Sequence, residues 1–129
     1  GRLGIGTSKP GSKFSIHDVA AKQSIFSFNA GINAGQLELG LARGTQANPL
    51  AVQANDLLGK LVFSGFNGVN FSPSASIESR SSQAFTTSGN GSVLEFKTTR
   101  DDSTSSTTRM IIDNIGCKRN HKCKRRLWQ

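Results

Sequence analysis

The stretch that decides the fold is Ala42–Phe71, which reads Ala-Arg-Gly-Thr-Gln-Ala-Asn-Pro-Leu-Ala-Val-Gln-Ala-Asn-Asp-Leu-Leu-Gly-Lys-Leu-Val-Phe-Ser-Gly-Phe-Asn-Gly-Val-Asn-Phe. Its second half predicts a strand over Leu57–Phe66 that is apolar on both sides. The apolar side chains form two sets: Leu57, Leu61 and Phe63 on one face, and Leu58, Val62 and Phe66 on the other. Such a strand must be covered on both faces. In so short a chain, we expect part of the cover to come from another copy.

The two ends of this stretch carry turn signals. Asn67-Gly68 predicts a tight hairpin directly after the strand, because both residue types tolerate positive φ. On the other side, Asn48-Pro49 predicts a single helical turn through Gln53, with proline at the first helical position.

Outside this stretch, short alternating segments indicate more strands, and the helix signal is weak. The predicted strands are Lys13–Ile16, Ile25–Phe28, Gln36–Leu41, Ser74–Arg80, Ser92–Thr98 and Thr107–Ile112. Asn90-Gly91 and the polar run Arg100–Ser106 are typical of the connections between them. The pattern predicts an all-β fold, a short-stranded β-sandwich or β-prism-like module. We divide the chain into a glycine-rich junction and first strand (1–16), a β-module (17–116) and a tail (117–129).

The apolar content is low for an autonomous domain. Leu, Ile, Val and Phe account for 31 of the 129 residues. Ordering one residue costs about 1–2 kcal/mol, whereas apolar burial returns roughly 25 cal/mol per Å². A core this lean gains from burying further surface against neighbouring subunits, so the composition favours an oligomer.

The net charge of +8 comes mostly from the tail. Residues 117–129 contain six basic residues and no acid, whereas residues 1–116 have a net charge of only +2. The candidate anion-binding residues are Lys118, Arg119, Lys122, Lys124, Arg125 and Arg126. This run supports an alternative function, a small protein that binds nucleic acid or an anionic surface through its tail. The run carries no base specificity, and nucleic acid is not the partner we expect.

Three segments in order resemble modules of phage tail and head fibres. Arg-Leu-Gly-Ile-Gly-Thr at Arg2–Thr7 resembles the Gly-Ile-Gly-Thr junction that links one trimeric module to the next. Arg43–Gly68 resembles the central signature of these modules, and Thr108–Asp113 resembles their last strand. The resemblance covers about residues 2–116.

The resemblance implies an intertwined homotrimer in a virion fibre, spike or appendage of the tail, neck or capsid. The expected partners are further copies of the chain, other virion proteins and a host surface glycan or receptor. The glycines of the junction lack a Cβ atom, which would let three chains approach a common axis. The residues expected at the axis and in the central packing are Gly4, Ile5, Gly6, Leu58, Leu61, Val62, Phe63 and Phe66.

No motif indicates catalysis, and we expect neither an enzyme nor a cofactor. Gly6–Lys13 nearly matches a phosphate-binding loop, but its lysine does not follow the second glycine directly. Cys117, His121 and Cys123 supply three potential zinc ligands without the usual paired spacing or a fourth ligand, so we predict no metal site. No apolar run reaches 18 residues, so no insertion into a membrane is expected.

Overall fold

A computed structural model of the chain describes residues 1–28 and 34–118, and within these ranges the backbone forms strands, turns and coil but no helix. The all-β prediction is therefore confirmed. The chain divides into two compact units, Gly1–Glu38 and Leu39–Gln129.

The first unit contains a short pair of parallel strands. Strand β1 (Leu3–Ile5) pairs with β2 (Phe14–Ile16). Hydrogen bonds from Leu3 N to Lys13 O (2.7 Å) and from His17 N to Ile5 O (2.9 Å) extend the pairing at both ends. A hydrogen bond from the Arg2 side chain to the carbonyl of Pro10, at 3.0 Å, anchors the loop between the two strands.

Two strands predicted from alternation are wrong. Ile25–Phe28 and Gln36–Leu41 are coil, and in the described part of the chain neither segment pairs with a strand. Alternation reports only which side chains could share a face. A strand also needs a hydrogen-bonded neighbour, and a local pattern contains no information about that neighbour.

The helical turn predicted after Asn48 is also wrong. Strand β3 (Arg43–Gly44) pairs with β4 (Pro49–Leu50) as a small antiparallel hairpin. Thr45 and Asn48 exchange backbone hydrogen bonds of 3.1 Å in both directions, which closes the turn. Gly44 has a φ of 78°, a conformation that disfavours residues with a Cβ atom. Pro49 therefore begins a strand rather than a helix.

The second unit is dominated by a five-stranded antiparallel meander in which each strand pairs with the next. Its strands are β5 (Leu57–Phe66), β6 (Phe71–Ser81), β7 (Ser92–Thr99), β8 (Ser106–Asp113) and β9 (Gly116–Lys118). The bounds predicted for β5 are confirmed, and the next three strands are one to four residues longer than predicted. The sequence pattern did not reveal β9, which carries the sheet into the first two residues of the predicted tail.

The Asn67-Gly68 hairpin is confirmed as a four-residue connection between β5 and β6. Asn67 N donates to Asn70 O at 3.0 Å, and the Asn67 side-chain oxygen accepts from the amides of Val69 and Asn70. Gly68 takes a φ of 96°, whereas Asn67 remains at negative φ. Asparagine therefore acts here through its side-chain acceptor, and glycine through its backbone freedom.

The single chain has very little apolar core. Among the described residues, Val52 is the only buried apolar side chain, at 5% exposure, whereas Ser76, Glu78 and Ser81 are buried polar residues. Apolar burial is the main favourable term in folding. The described residues of a single chain therefore gain little stabilisation from apolar burial.

Candidate assembly surface

One face of the meander is lined with apolar side chains. Residues that pair across antiparallel strands point to the same side of the sheet. The register places Leu61 beside Ile77, Phe96 and Met110. We call this side the apolar face and define it by Leu61, Phe63, Ile77, Phe96, Met110 and Ile112.

Much of the apolar face is open in the single chain. Leu61 is 43% exposed, Phe63 55% and Ile112 40%. A contiguous exposed apolar patch of this kind is typical of an interaction surface.

Two β-bulges interrupt the pairing of β5 with β6. Between Leu57 and Gly59 the extra residue is Leu58, in β5, whereas between Phe63 and Ser64 it is Ser74, in β6. A bulge shifts the alternation only of the strand that carries the extra residue. Leu57 therefore lies opposite to Leu61 and Phe63, contrary to the prediction. Phe66 also lies opposite to them, as predicted, and its ring contacts that of Phe71 with centroids 5.6 Å apart. The hydroxyl of Ser74 donates to Phe63 O at 3.2 Å, which satisfies the carbonyl at the second bulge.

The opposite face carries a cluster of charges centred on β6, which we call the ion cluster. Glu78 is only 3% exposed. Its carboxylate lies 2.8 Å from the ammonium groups of Lys60 and Lys97 and 3.3 Å from the Arg80 guanidinium. Lys97 also lies 3.0 Å from Glu95. The Ser76 hydroxyl completes the shell around Glu78 by donating at 2.9 Å.

This surrounding stabilises the charged form of Glu78. Hydrogen bonds from Lys60 and then Lys97 outweigh the effect of burial, and they lower the pKa of Glu78 to about 2. The same contacts, led by the hydrogen bond to Glu78, raise the pKa of Lys97. A buried carboxylate with several cationic partners is costly to leave unpaired. The ion cluster therefore holds β5, β6 and β7 in one register.

Glu78 and Glu95 face each other across β6 and β7, which makes them the natural candidates for a hydrolytic carboxylate pair. A glycosidase acid needs a raised pKa so that it holds a proton near neutral pH. Glu78 has a lowered pKa and is occupied by cations. The pair is therefore suited to structure and not to general acid catalysis.

The segment that precedes β5, residues 43–56, contains a second set of polar contacts, centred on Asp56. Both Asp56 oxygens accept from Arg43 at 2.6 Å, through Nε and a terminal guanidinium nitrogen. Asp56 also accepts from the amide of Gln53 at 2.9 Å. The hydrogen bond from Arg43, followed by that from Gln53, lowers the pKa of Asp56 to about 2. A bidentate pair fixes geometry as well as charge.

This segment is also joined to the end of β6. Asn55 N donates to Ser81 O at 2.9 Å, and Ser81 N donates to Asp56 O at 3.0 Å. Phe85 N donates to the carbonyl of Val52 at 2.9 Å. Asn55 has a φ of 70°, which asparagine tolerates better than most residues. The residues that carry the sequence resemblance thus have a structural task within the chain.

Of the predicted junction residues, Gly4 and Gly6 are closely packed within their own unit. A Cβ atom on Gly4 would lie 2.5 Å from Thr7 O, and one on Gly6 would lie 1.9 Å from His17 O. Gly6 also has a φ of 74°. The local fold therefore accounts for both glycines, and their approach to a threefold axis stays a prediction.

Leu58 and Val62 complete the predicted packing set. Leu58 is partly buried, and it lies at the first bulge of β5. Val62 is 46% exposed and pairs with Ser76, so it lies on the face of the ion cluster. Leu61 and Phe63 share the apolar face, whereas Phe66 lies with Val62 on the opposite face.

The predicted tail lies almost entirely outside the described residues. Lys118 ends β9, and the other five candidate anion-binding residues, with His121 and Cys123, fall beyond the described ranges. Within the described part of the chain, no group of three or more His, Cys, Asp or Glu residues is arranged to hold a metal. No helix long and apolar enough to cross a membrane occurs there either.

Sequence reasoning missed the ion cluster as a site. The available signal was the presence of Lys60, Glu78, Glu95 and Lys97 inside segments that otherwise read as strands. Opposite charges on neighbouring strands attract when the register brings them together. The sequence did not reveal that register.

Solved structures with a similar all-β fold include two of a phage tail fibre domain. The chain is similar to the carboxy-terminal domain of the bacteriophage T5 L-shaped tail fibre, with 19% identity and a TM-score of 0.73 over 90% of this chain and 45% of that chain. It is similar to the same domain with its intra-molecular chaperone domain, with 19% identity and a TM-score of 0.72 over 88% of this chain and 30% of that chain. The chain thus spans less than half the length of either fibre chain.

These likenesses confirm, at the level of the fold, the similarity to a phage tail fibre module. They do not test the Gly-Ile-Gly-Thr junction, which stays a prediction. No protein family matches the sequence, and no curated protein matches it.

Proposed function

We propose that this chain is a non-enzymatic structural module of a viral fibre, spike or appendage, that it assembles as a homotrimer and that it supports host attachment. The observation that carries the proposal is the open apolar face of the five-stranded sheet. The fold shared with a phage tail fibre domain supports the same role.

The apolar face supplies the driving force for assembly. Burying a large apolar side chain stabilises by about 1.5–3 kcal/mol. Covering Leu61, Phe63 and Ile112, which are about half exposed, would contribute on the order of 3 kcal/mol per chain. Within the described part of a single chain, Val52 is the one buried apolar residue, so the chain by itself gains little from apolar burial.

The threefold symmetry rests on the resemblance to trimeric fibre modules. In the proposed particle, the module is part of a virion appendage, with other virion proteins as neighbours. Three identical copies would present each surface three times, so contacts that are weak singly add through effective concentration. The role is mechanical and multivalent.

The test is the mass of the assembly in solution. Phe63→Asp places a charge on the apolar face and should convert a trimer into monomers, as measured by light scattering. Val69→Asp is the matched control, because Val69 is 83% exposed at the hairpin between β5 and β6, away from the centre of that face. A Phe63→Asp protein with unchanged trimeric mass would contradict the proposal.

A further inference from the structure

The connection between β7 and β8 forms a cavity with an unusual charge. The cavity has a volume of about 260 Å³ and is lined by Arg100, Ser103, Ser105, Thr107 and Arg109. All five residues are exposed. The lining therefore combines two guanidinium groups with three hydroxyl groups and contains no carboxylate, since neither Asp101 nor Asp102 of the same connection lines it.

The two arginines differ from every other cation that the structure describes between residues 39 and 115. Arg43 is paired with Asp56, whereas Lys60, Arg80 and Lys97 are paired with Glu78 or Glu95. Arg100 and Arg109 have no such carboxylate partner among the described residues. Carboxylates thus neutralise the other four cations described between residues 39 and 115, but not the two arginines that line the cavity.

The contacts of Arg109 leave donors available for a ligand. Its Nε donates to the Thr98 hydroxyl at 2.9 Å, which orients the guanidinium beside β7. The two terminal nitrogens remain for another acceptor. The Ser103 hydroxyl in turn accepts from the amide of Ser105 at 3.2 Å, so the loop that bears the other hydroxyl groups is internally bonded.

We propose that this cavity, which we call the arginine pocket, binds an oxyanion of a surface saccharide. Guanidinium groups match the geometry of phosphate, sulfate and carboxylate oxygens, and charge-assisted hydrogen bonds to such oxygens are about twice as strong as neutral ones. The hydroxyl groups of Ser103, Ser105 and Thr107 add donors that suit the remaining oxygens of an oxyanion or the hydroxyls of a sugar.

Binding of a saccharide oxyanion would give the proposed attachment role a specific ligand. The choice of a host surface as the source of this ligand rests on that proposed role. Surface polysaccharides carry such groups as phosphates or as uronic carboxylates. A pocket of this size holds one substituted sugar residue rather than a long chain. Threefold repetition would then raise a weak single-site affinity.

The experiment measures binding of inorganic sulfate to the full chain by ¹⁵N NMR at fixed ionic strength. The double variant Arg100→Gln/Arg109→Gln should weaken sulfate binding by at least about tenfold, the loss expected for two charge-assisted contacts. The double variant Arg125→Gln/Arg126→Gln removes the same charge from the tail and should change the affinity less than about twofold. Equal loss in both variants, or no loss in the first, overturns the proposal.

A second, milder variant keeps the proposal testable if the double arginine variant does not fold. Thr107→Val keeps the shape of the side chain and removes one donor, and it should weaken sulfate binding about threefold while the circular dichroism spectrum is unchanged. Unchanged affinity in Thr107→Val would then count against the arginine pocket.

A competition experiment distinguishes a sugar phosphate from a uronic carboxylate as the source of the oxyanion. Glucose 6-phosphate and glucuronate are titrated against sulfate in the wild-type chain and in Arg100→Gln/Arg109→Gln. Displacement of sulfate by either sugar, lost in the variant, supports the inference and identifies the anion, whereas displacement by neither overturns the saccharide source. A trimer that binds no sulfate overturns this inference alone, and a monomer that binds sulfate overturns only the proposed assembly.

Discussion

Glu78 shows how a single residue can organise a sheet that has almost no apolar core. The ammonium groups of Lys60 and Lys97 and the hydroxyl of Ser76 lie within 3 Å of its carboxylate, which is nearly inaccessible to water. Buried ion pairs often add little net stability compared with apolar residues, but losing one partner is expensive. In this sheet the cluster contributes mainly to the specificity of strand register.

A prediction about acid stability follows from this residue. The folded-state pKa of Glu78 is about 2, below its ordinary value of 4.5, so its stabilising contribution is complete above about pH 4.5 and is lost as the pH falls towards 2. Glu78→Gln cannot titrate, and it leaves Lys60 without a carboxylate partner and Lys97 with Glu95 alone. We expect a decrease of roughly 2–3 kcal/mol in the free energy of unfolding at pH 7, and a smaller further loss on acidification.

The measurement is urea unfolding of both proteins at pH 7 and pH 3 at one chain concentration. Asp101→Asn is the control, because Asp101 is an exposed carboxylate in the loop after β7. It should match wild type at both values. If Glu78→Gln loses as much stability on acidification as wild type does, Glu78 is not the titrating group.

Strand β5 shows at the scale of elements why an alternating pattern is not enough. Leu57–Phe66 was predicted with correct bounds, yet Leu57 lies on the other face from the one predicted because β5 contains a bulge at Leu58. Apolar residues occur on both sides of the strand, so alternation alone gives no sign of a bulge. The second bulge lies in β6, where the extra residue Ser74 donates its hydroxyl to the carbonyl of Phe63.

The hairpin between β5 and β6 allows a matched test of backbone conformation. Gly68 and Gly65 both have open space where a Cβ atom would be placed, but only Gly68 has a positive φ, of 96°. Gly68→Ala should therefore destabilise the protein by about 1–2 kcal/mol through conformational strain. Gly65→Ala should be neutral or slightly stabilising, because alanine reduces the entropy of the unfolded chain.

Thermal unfolding of the two alanine variants under identical conditions gives the comparison. A lower melting temperature for Gly68→Ala alone agrees with strain at the turn. Equal melting temperatures would show that the hairpin relaxes to accept a side chain.

For the whole molecule, the balance between apolar and polar surface is the decisive property. The open apolar face and the single buried apolar residue of the described chain are what the proposed assembly explains, since copies of the chain would then share the burial of this face. The ion cluster on the other side of the sheet satisfies its own charges and needs no partner. The two faces of one sheet therefore have different tasks.

Shared stability predicts that unfolding depends on concentration. Association stabilises the folded state by mass action, so a hundredfold increase in chain concentration should raise the melting temperature of a trimer by about 5 °C. Calorimetry at two concentrations measures the shift. A melting temperature that is independent of concentration would mean that each chain folds alone, and Phe63→Asp should show that independence.

The all-β class, the bounds of β5, the Asn67-Gly68 hairpin and the scarcity of core residues could be read from the sequence, because each depends on neighbouring residues or on composition. Four features emerged only from the folded chain: the face occupied by Leu57, the ion pairs of Glu78, the 13-residue separation closed by Arg43 and Asp56, and the cavity shared by Arg100 and Arg109. These features depend on strand register and on contacts between distant positions. A local pattern constrains which side chains alternate, but it holds no information about which residue each one will meet.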